Sequence, residues 1–183
     1  MSWELLAVFV GSSIRLAVPL LLAGIGELVS ERAGVLNMSL EGMMLTGAFA
    51  AAVGAWATGN PFIGLTIGIV AVIPLAALQA FLSVTLRANQ IVTGIGINIL
   101  MLGATTLAYR EIFGSRSREQ IPGLEKWKPP ILGDIPIFGE AVFQQVWLLY
   151  LGIVVIVLIA IVMHANVVPR IFHFPKITAA MAR

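Results

Sequence analysis

Long apolar runs constrain this chain more than any other feature. A membrane-crossing helix needs about 20 mostly apolar residues, and five segments reach that length. The first extends from about Leu5 to Leu28, interrupted by Arg15 and Pro19, and the second from about Val35 to Ala57, with Asn37 and Glu41 near its start. The third, Phe62 to Leu86, follows the turn signal Gly59-Asn60-Pro61. The fourth, Ile91 to Phe113, follows the polar break Arg87-Ala88-Asn89-Gln90, and the fifth, Val146 to Met163, is almost unbroken aliphatic sequence. Of the 183 residues, 59% are hydrophobic and 11% charged, against roughly 25% charged in soluble domains. Too little polar surface is left to cover a globule in water. The expected fold is all-α, a polytopic transmembrane helical bundle of about five spans.

Several function classes fall away. A net charge of +2 with dispersed basic residues does not point to nucleic acid. Without cysteine there is no disulfide, thiolate metal site or cysteine nucleophile. Two histidines, His164 and His173, do not suggest a metal site, and the spans hold no serine–histidine arrangement, so no catalytic residues are expected. The first run lacks a basic leader and a small-residue cleavage site and reads as a retained helix. Residues 114–145 form a proline- and glycine-rich stretch with four basic and four acidic side chains, read as a loop at one membrane face. Basic residues divide five against five between the two faces, so charge bias alone does not orient the chain.

Small residues mark where helices can approach closely. Gly64 and Gly68 form a GxxxG pair, and Gly47, Ala51 and Ala55 repeat at four-residue spacing. In lipid such stripes favour helix association.

Polar groups inside the runs each need a reason, because a charge at the bilayer centre costs roughly 2.5–3.5 kcal/mol on insertion scales. The densest cluster is Gly26-Glu27-Leu28-Val29-Ser30-Glu31-Arg32-Ala33-Gly34-Val35-Leu36-Asn37-Met38-Ser39-Leu40-Glu41-Gly42. One reading is a solvated turn, with Asn37 or Ser39 capping the next helix and Glu41 favouring its positive end. The other places Glu41 about 9 Å inside a helix that starts at Val35, facing a water-filled path or a basic partner. On the fourth run, at 100° per residue, Gly94, Asn98, Thr105 and Tyr109 fall within about 40° of one direction. That face either makes interhelical hydrogen bonds or lines a translocation path. Gln79 is a lone polar group read as structural. Arg15 sits deep in the first run, with its partner expected on another helix. The fifth run reads as lipid-facing scaffold.

The stretch from Gly26 to Ala52 closely resembles permease subunits of bacterial ABC importers, in the branch for simple sugars and nucleosides related to the ribose-type permeases. Its matching positions are Gly26, Glu27, Glu31, Arg32, Gly34, Asn37, Glu41 and Gly42. Residues 90–100, from Gln90-Ile-Val-Thr-Gly through Leu100, together with Tyr109-Arg110-Glu111-Ile112-Phe113-Gly114, look like the family's next motif. Ile131-Leu-Gly-Asp-Ile-Pro-Ile-Phe-Gly is similar to its external loop. The resemblance covers roughly residues 5–160. It implies a multi-pass protein of the bacterial inner membrane, with Arg32 and Arg87 cytoplasmic and residues 114–145 outside. It also implies a second permease subunit, a separate ATP-binding subunit and an external solute-binding lipoprotein. The chain has no GxxxxGK[ST] loop, so ATP would be bound by the separate subunit and no cofactor by this one.

Residues 1–164 would form the permease domain, matching the amino-terminal half of the family's length, and 165–183 a divergent cytoplasmic tail. The loss of resemblance near His164 suggests a truncated or frameshifted member. The alternative to a working permease is a non-transporting remnant or assembly partner.

Overall fold

The computed structural model describes residues 3–114, 120–124 and 146–164. Five α-helices account for nearly all of them: α1 Trp3–Arg32, α2 Leu40–Thr58, α3 Pro61–Ala80, α4 Gln90–Phe113 and α5 Trp147–His164. Among the described residues no strand element occurs. Four of the helices are long and apolar enough to cross a bilayer, and α5 is a shorter apolar helix. The all-helical, membrane-spanning class read from the sequence therefore stands. The proposed tail, 165–183, and most of the 114–145 stretch lie outside the described residues.

Two compact units divide the chain, one of residues 1–34 with 126–183 and one of residues 35–125. In the first, α1 packs against α5. A Cβ added at Gly152 would lie 3.0 Å from Val18 Cγ1 and 3.2 Å from Leu22 Cδ1. At the carboxyl ends of both helices, Arg32 Nη1 donates to the Met163 carbonyl at 3.1 Å. The two helices therefore run in the same direction, and Arg32 satisfies a carbonyl in the last turn of α5. Leu149, Gly152 and Met163 give α5 a protein-facing stripe, so it is more than the lipid-facing scaffold its composition suggested. Arg15 lies on an exposed face of α1.

The second unit holds α2, α3 and α4. Gly59 ends α2 in the left-handed conformation (φ 68°), and Asn60 caps α3 by accepting from Phe62 N–H, with Pro61 at the first helical position. This gives a tight reversal. The small-residue stripes meet across the antiparallel pair α2–α3. A Cβ at Gly64 would lie 2.6 Å from the Ala51 carbonyl oxygen, and one at Gly68 2.7 Å from the Gly47 carbonyl oxygen. Only glycine lets the backbones come this close. α4 runs parallel to α2, with Trp56 and Phe113 in edge-to-face contact at 5.5 Å near their carboxyl ends. Beyond α3 the chain continues as a π-helical turn, Phe81–Thr85. There the buried Gln79 donates to Ser83 Oγ at 3.3 Å. Arg87 then takes a positive φ of 51°, and Asn89 caps α4 by accepting from the N–H groups of Ile91 and Val92.

One boundary differs from the sequence reading. The second span does not begin at Val35. Gly34, at φ 87°, terminates α1, and α2 begins only at Leu40. The intervening stretch is held by side chains in place of a helical hydrogen-bond ladder.

Candidate functional site

Backbone polar groups that leave a helix and are covered by protein need partners from elsewhere in the chain. Between α1 and α2, the Asn37 side-chain oxygen accepts from the Ser39 backbone N–H (3.3 Å) and from Ser39 Oγ (2.7 Å). This forms an Asx-type turn. Ser39 is completely buried and occupies the N-cap position of α2, yet it makes no side-chain capping bond. Its hydroxyl is committed to Asn37, so neither residue caps the helix as the sequence suggested.

The capping group comes from α4. Asn98 Oδ1 accepts from the Gly42 backbone N–H at 2.7 Å, and Asn98 Nδ2 donates to the Met38 carbonyl at 2.9 Å. Two turns earlier, Gln90 Oε1 accepts from the Leu36 backbone N–H at 2.7 Å. Between these contacts Gly94 presses against Met38, where an added Cβ would lie 2.5–2.9 Å from that residue's Cβ, carbonyl carbon and Cα. Gln90, Gly94 and Asn98 are four residues apart and form one stripe along α4.

The residues singled out from the sequence are thus partly brought together. Gly94 and Asn98 meet the α1–α2 connection. Thr105 is buried, but its hydroxyl donates to Met101 of its own helix at 2.6 Å. Tyr109 is 53% exposed and stacks obliquely on Phe113. Glu41 is exposed in the first turn of α2 rather than deep in a helix, because that helix starts five residues later than expected. Of the motif residues, Glu27 is half-buried on α1 and Glu31 and Arg32 are exposed in its last turn, while Gly34, Asn37 and Gly42 build the break itself. Gln90 was missed because it was assigned to the polar break before the fourth run. Projected at 100° per residue, it lies about 40° from Gly94 and belongs to the same face.

A recess of about 210 Å³ beside the α2–α3 reversal is lined by apolar side chains, among them Ala51, Ala55, Leu65 and Ile121. It offers no polar side chain to a hydrophilic solute. Among the described residues no group of three or more acidic, histidine or cysteine side chains is placed to hold a metal ion.

Long apolar helices, close small-residue packing and a side-chain-stabilised helix break define a helical, multi-pass membrane protein. The chain belongs to the family described as the branched-chain amino acid transport system / permease component, whose model matches residues 9–167. It is 41% identical over 150 residues to TsgC13 of Haloferax volcanii, an ABC transporter permease protein with a provisional glucose assignment; the match covers 79% of this chain and 44% of the relative. It is 34% identical over 151 residues to the guanosine ABC transporter permease protein NupQ of Bacillus subtilis, covering 79% of this chain and 47% of the relative. With the nucleoside ABC transporter permease protein NupC of Lactococcus lactis it shares 32% identity over 161 residues, covering 84% and 50%. The chain spans about half the length of these curated relatives. No solved structure matches it.

Proposed function

We propose that this chain is a membrane-embedded permease subunit of an ATP-driven importer and helps form the translocation path for nucleosides or simple sugars. The observation that carries this reading is its similarity, over 79–84% of the chain, to permeases named for guanosine, nucleoside and glucose transport. Of the α4 residues read as the path's lining, Gly94, Asn98 and Thr105 are packed or bonded within the protein, which leaves Tyr109 open to the path, with Glu41 near its cytoplasmic mouth. Tyr109, the most open of the four on α4, offers a ring for stacking on a base or sugar and a hydroxyl for hydrogen bonding. The chain performs no covalent chemistry. It works with a second permease subunit, an ATP-binding subunit that supplies the energy and an external solute-binding lipoprotein that delivers the solute, as the path alternates between its two openings.

Deletion of the gene in its source organism, with uptake of labelled guanosine, other nucleosides and glucose measured in parallel, tests the proposal. Loss of uptake for one solute class, restored by the intact gene, is expected. Affinity purification from native membranes should also recover an ATP-binding subunit. Undiminished uptake of every solute, with the chain purifying alone, would overturn the reading.

A further inference from the structure

The polar stripe on α4 has a role beyond lining a path. We infer that Gln90 and Asn98 are positioning residues that clasp the helix break at 35–39, fixing the first turn of α2 to α4 so that the two move as one body. Three observations support this. Gln90 Oε1 meets the Leu36 N–H, Asn98 meets both the Met38 carbonyl and the Gly42 N–H, and Gly94 removes the side chain that would hold the break away from α4.

The atoms served are backbone groups that the break leaves without a helical partner. Gly42 N–H is one of the first-turn donors that no carbonyl of its own helix can satisfy. Gly42 is buried and Leu36 half-buried, so these groups depend on acceptors supplied by the protein. The clasp is also directional. Gln90 serves only as an acceptor toward Leu36, whereas Asn98 must accept and donate at once. Asparagine and glutamine therefore act here through particular atoms, and their isosteres separate those atoms.

The functional half of the inference rests on the permease reading, whereas the structural half does not, and the test separates them. The chain contains no cysteine, so a single introduced thiol reports cleanly. Leu36→Cys places a reporter in the clasped segment, and Ala108→Cys, at a half-buried position of α4 away from the break, reports general loosening. Maleimide labelling rates of the full chain in native membranes are compared across four backgrounds. Gln90→Met removes the acceptor at nearly constant shape and should speed labelling at position 36 about fivefold, while Gln90→Glu retains an acceptor oxygen and should label at the unmodified rate. Asn98→Leu removes two bonds and should speed labelling roughly thirtyfold, with Asn98→Asp in between, since it keeps the acceptor for Gly42 and loses the donor to Met38. Labelling at position 108 should stay constant.

Equal labelling of position 36 in Gln90→Met and Gln90→Glu would overturn the clasp, whether both are slow or both fast. If Gln90→Met also exposes position 108, the chain has loosened generally, and the clasp then stands only if Gln90→Glu protects both positions. In the source organism, Gln90→Met should lower the maximal uptake rate without changing the half-saturating solute concentration, and Gln90→Glu should restore it. Faster labelling with unchanged uptake would refute the positioning role. Faster labelling in a strain that shows no uptake even with the unmodified gene would leave the clasp standing and count against the permease reading.

Discussion

Substituting Gly64 by alanine sets two well-characterised effects against each other. Alanine is the better helix former by about 1 kcal/mol, so propensity alone stabilises α3. Packing acts the other way. The added Cβ would lie 2.6 Å from the Ala51 carbonyl oxygen and 2.7 Å from both the nitrogen and the Cβ of Ala55, where ordinary contact begins near 3.4 Å. None of these atoms is the end of a flexible side chain, so relief requires α2 and α3 to separate by about 0.8 Å. A gap of that size forfeits roughly a quarter to a half of each dispersion contact along the seam. Overpacking costs typically about 1–3 kcal/mol, and the rigidity of the neighbours puts Gly64 near the upper end. The net expectation is destabilisation of about 2 kcal/mol. Gly103→Ala on α4 is the matched control. A Cβ there meets nothing within 4 Å, so the propensity term alone operates and the variant should gain up to about 1 kcal/mol. Unfolding in mixed micelles by titration with a denaturing detergent, followed by circular dichroism or tryptophan emission, measures both. If Gly64→Ala proved as stable as Gly103→Ala, the close α2–α3 seam would be wrong.

Other substitutions probe different parts of the two units. Phe113 is buried and contacts Trp56 and Tyr109 by its ring; Phe113→Ala should cost about 3–5 kcal/mol in the same unfolding assay. Gly152→Ala faces only the side-chain ends of Val18 and Leu22 at 3.0–3.2 Å, which can turn aside, so its net effect should stay within about 1 kcal/mol of zero after the propensity gain. Thr105→Val removes a hydroxyl bonded only within its own helix. Stability should change by less than about 1 kcal/mol, so any loss of uptake in that variant would place Thr105 against the solute.

The helices were legible because lipid imposes a simple rule: an apolar run of sufficient length must satisfy its own backbone. The runs at 62–86 and 91–113 coincide closely with α3 plus its π-helical extension and with α4. The Gly64/Gly68 stripe also translated directly into contact, because four-residue spacing lays small residues along one line whatever the helix packs against. The hydroxyls were harder to place. Ser13, Thr46, Thr58, Thr66, Thr105 and Thr106 all bond carbonyls one turn back in their own helices. A polar residue on an apolar helix therefore does not by itself announce an interhelical partner or a pore.

The start of α2 could not be read from hydropathy at all. Val35-Leu36 continues the apolar pattern, and nothing in composition distinguishes an extended pair from the first turn of a helix. What interrupts the helix is local. Gly34 adopts the left-handed conformation, and the Asn37 carboxamide folds back onto Ser39. What makes the interruption tolerable is remote, because the acceptors for Leu36 and Gly42 lie 54 and 56 residues further along the chain. A break of this kind needs both halves. Glycine and asparagine without Gln90 and Asn98 would leave covered backbone groups without partners, and the α4 amides without the break would be polar groups with nothing to bind. The sequence signature is therefore a pair of features: a Gly-x-x-Asn stretch between two apolar runs, and amide side chains separated by eight residues on a later one. That pairing also accounts for the altered position of Glu41. With α2 beginning at Leu40, its carboxylate lies at the positive end of a helix, where a charge needs no buried partner.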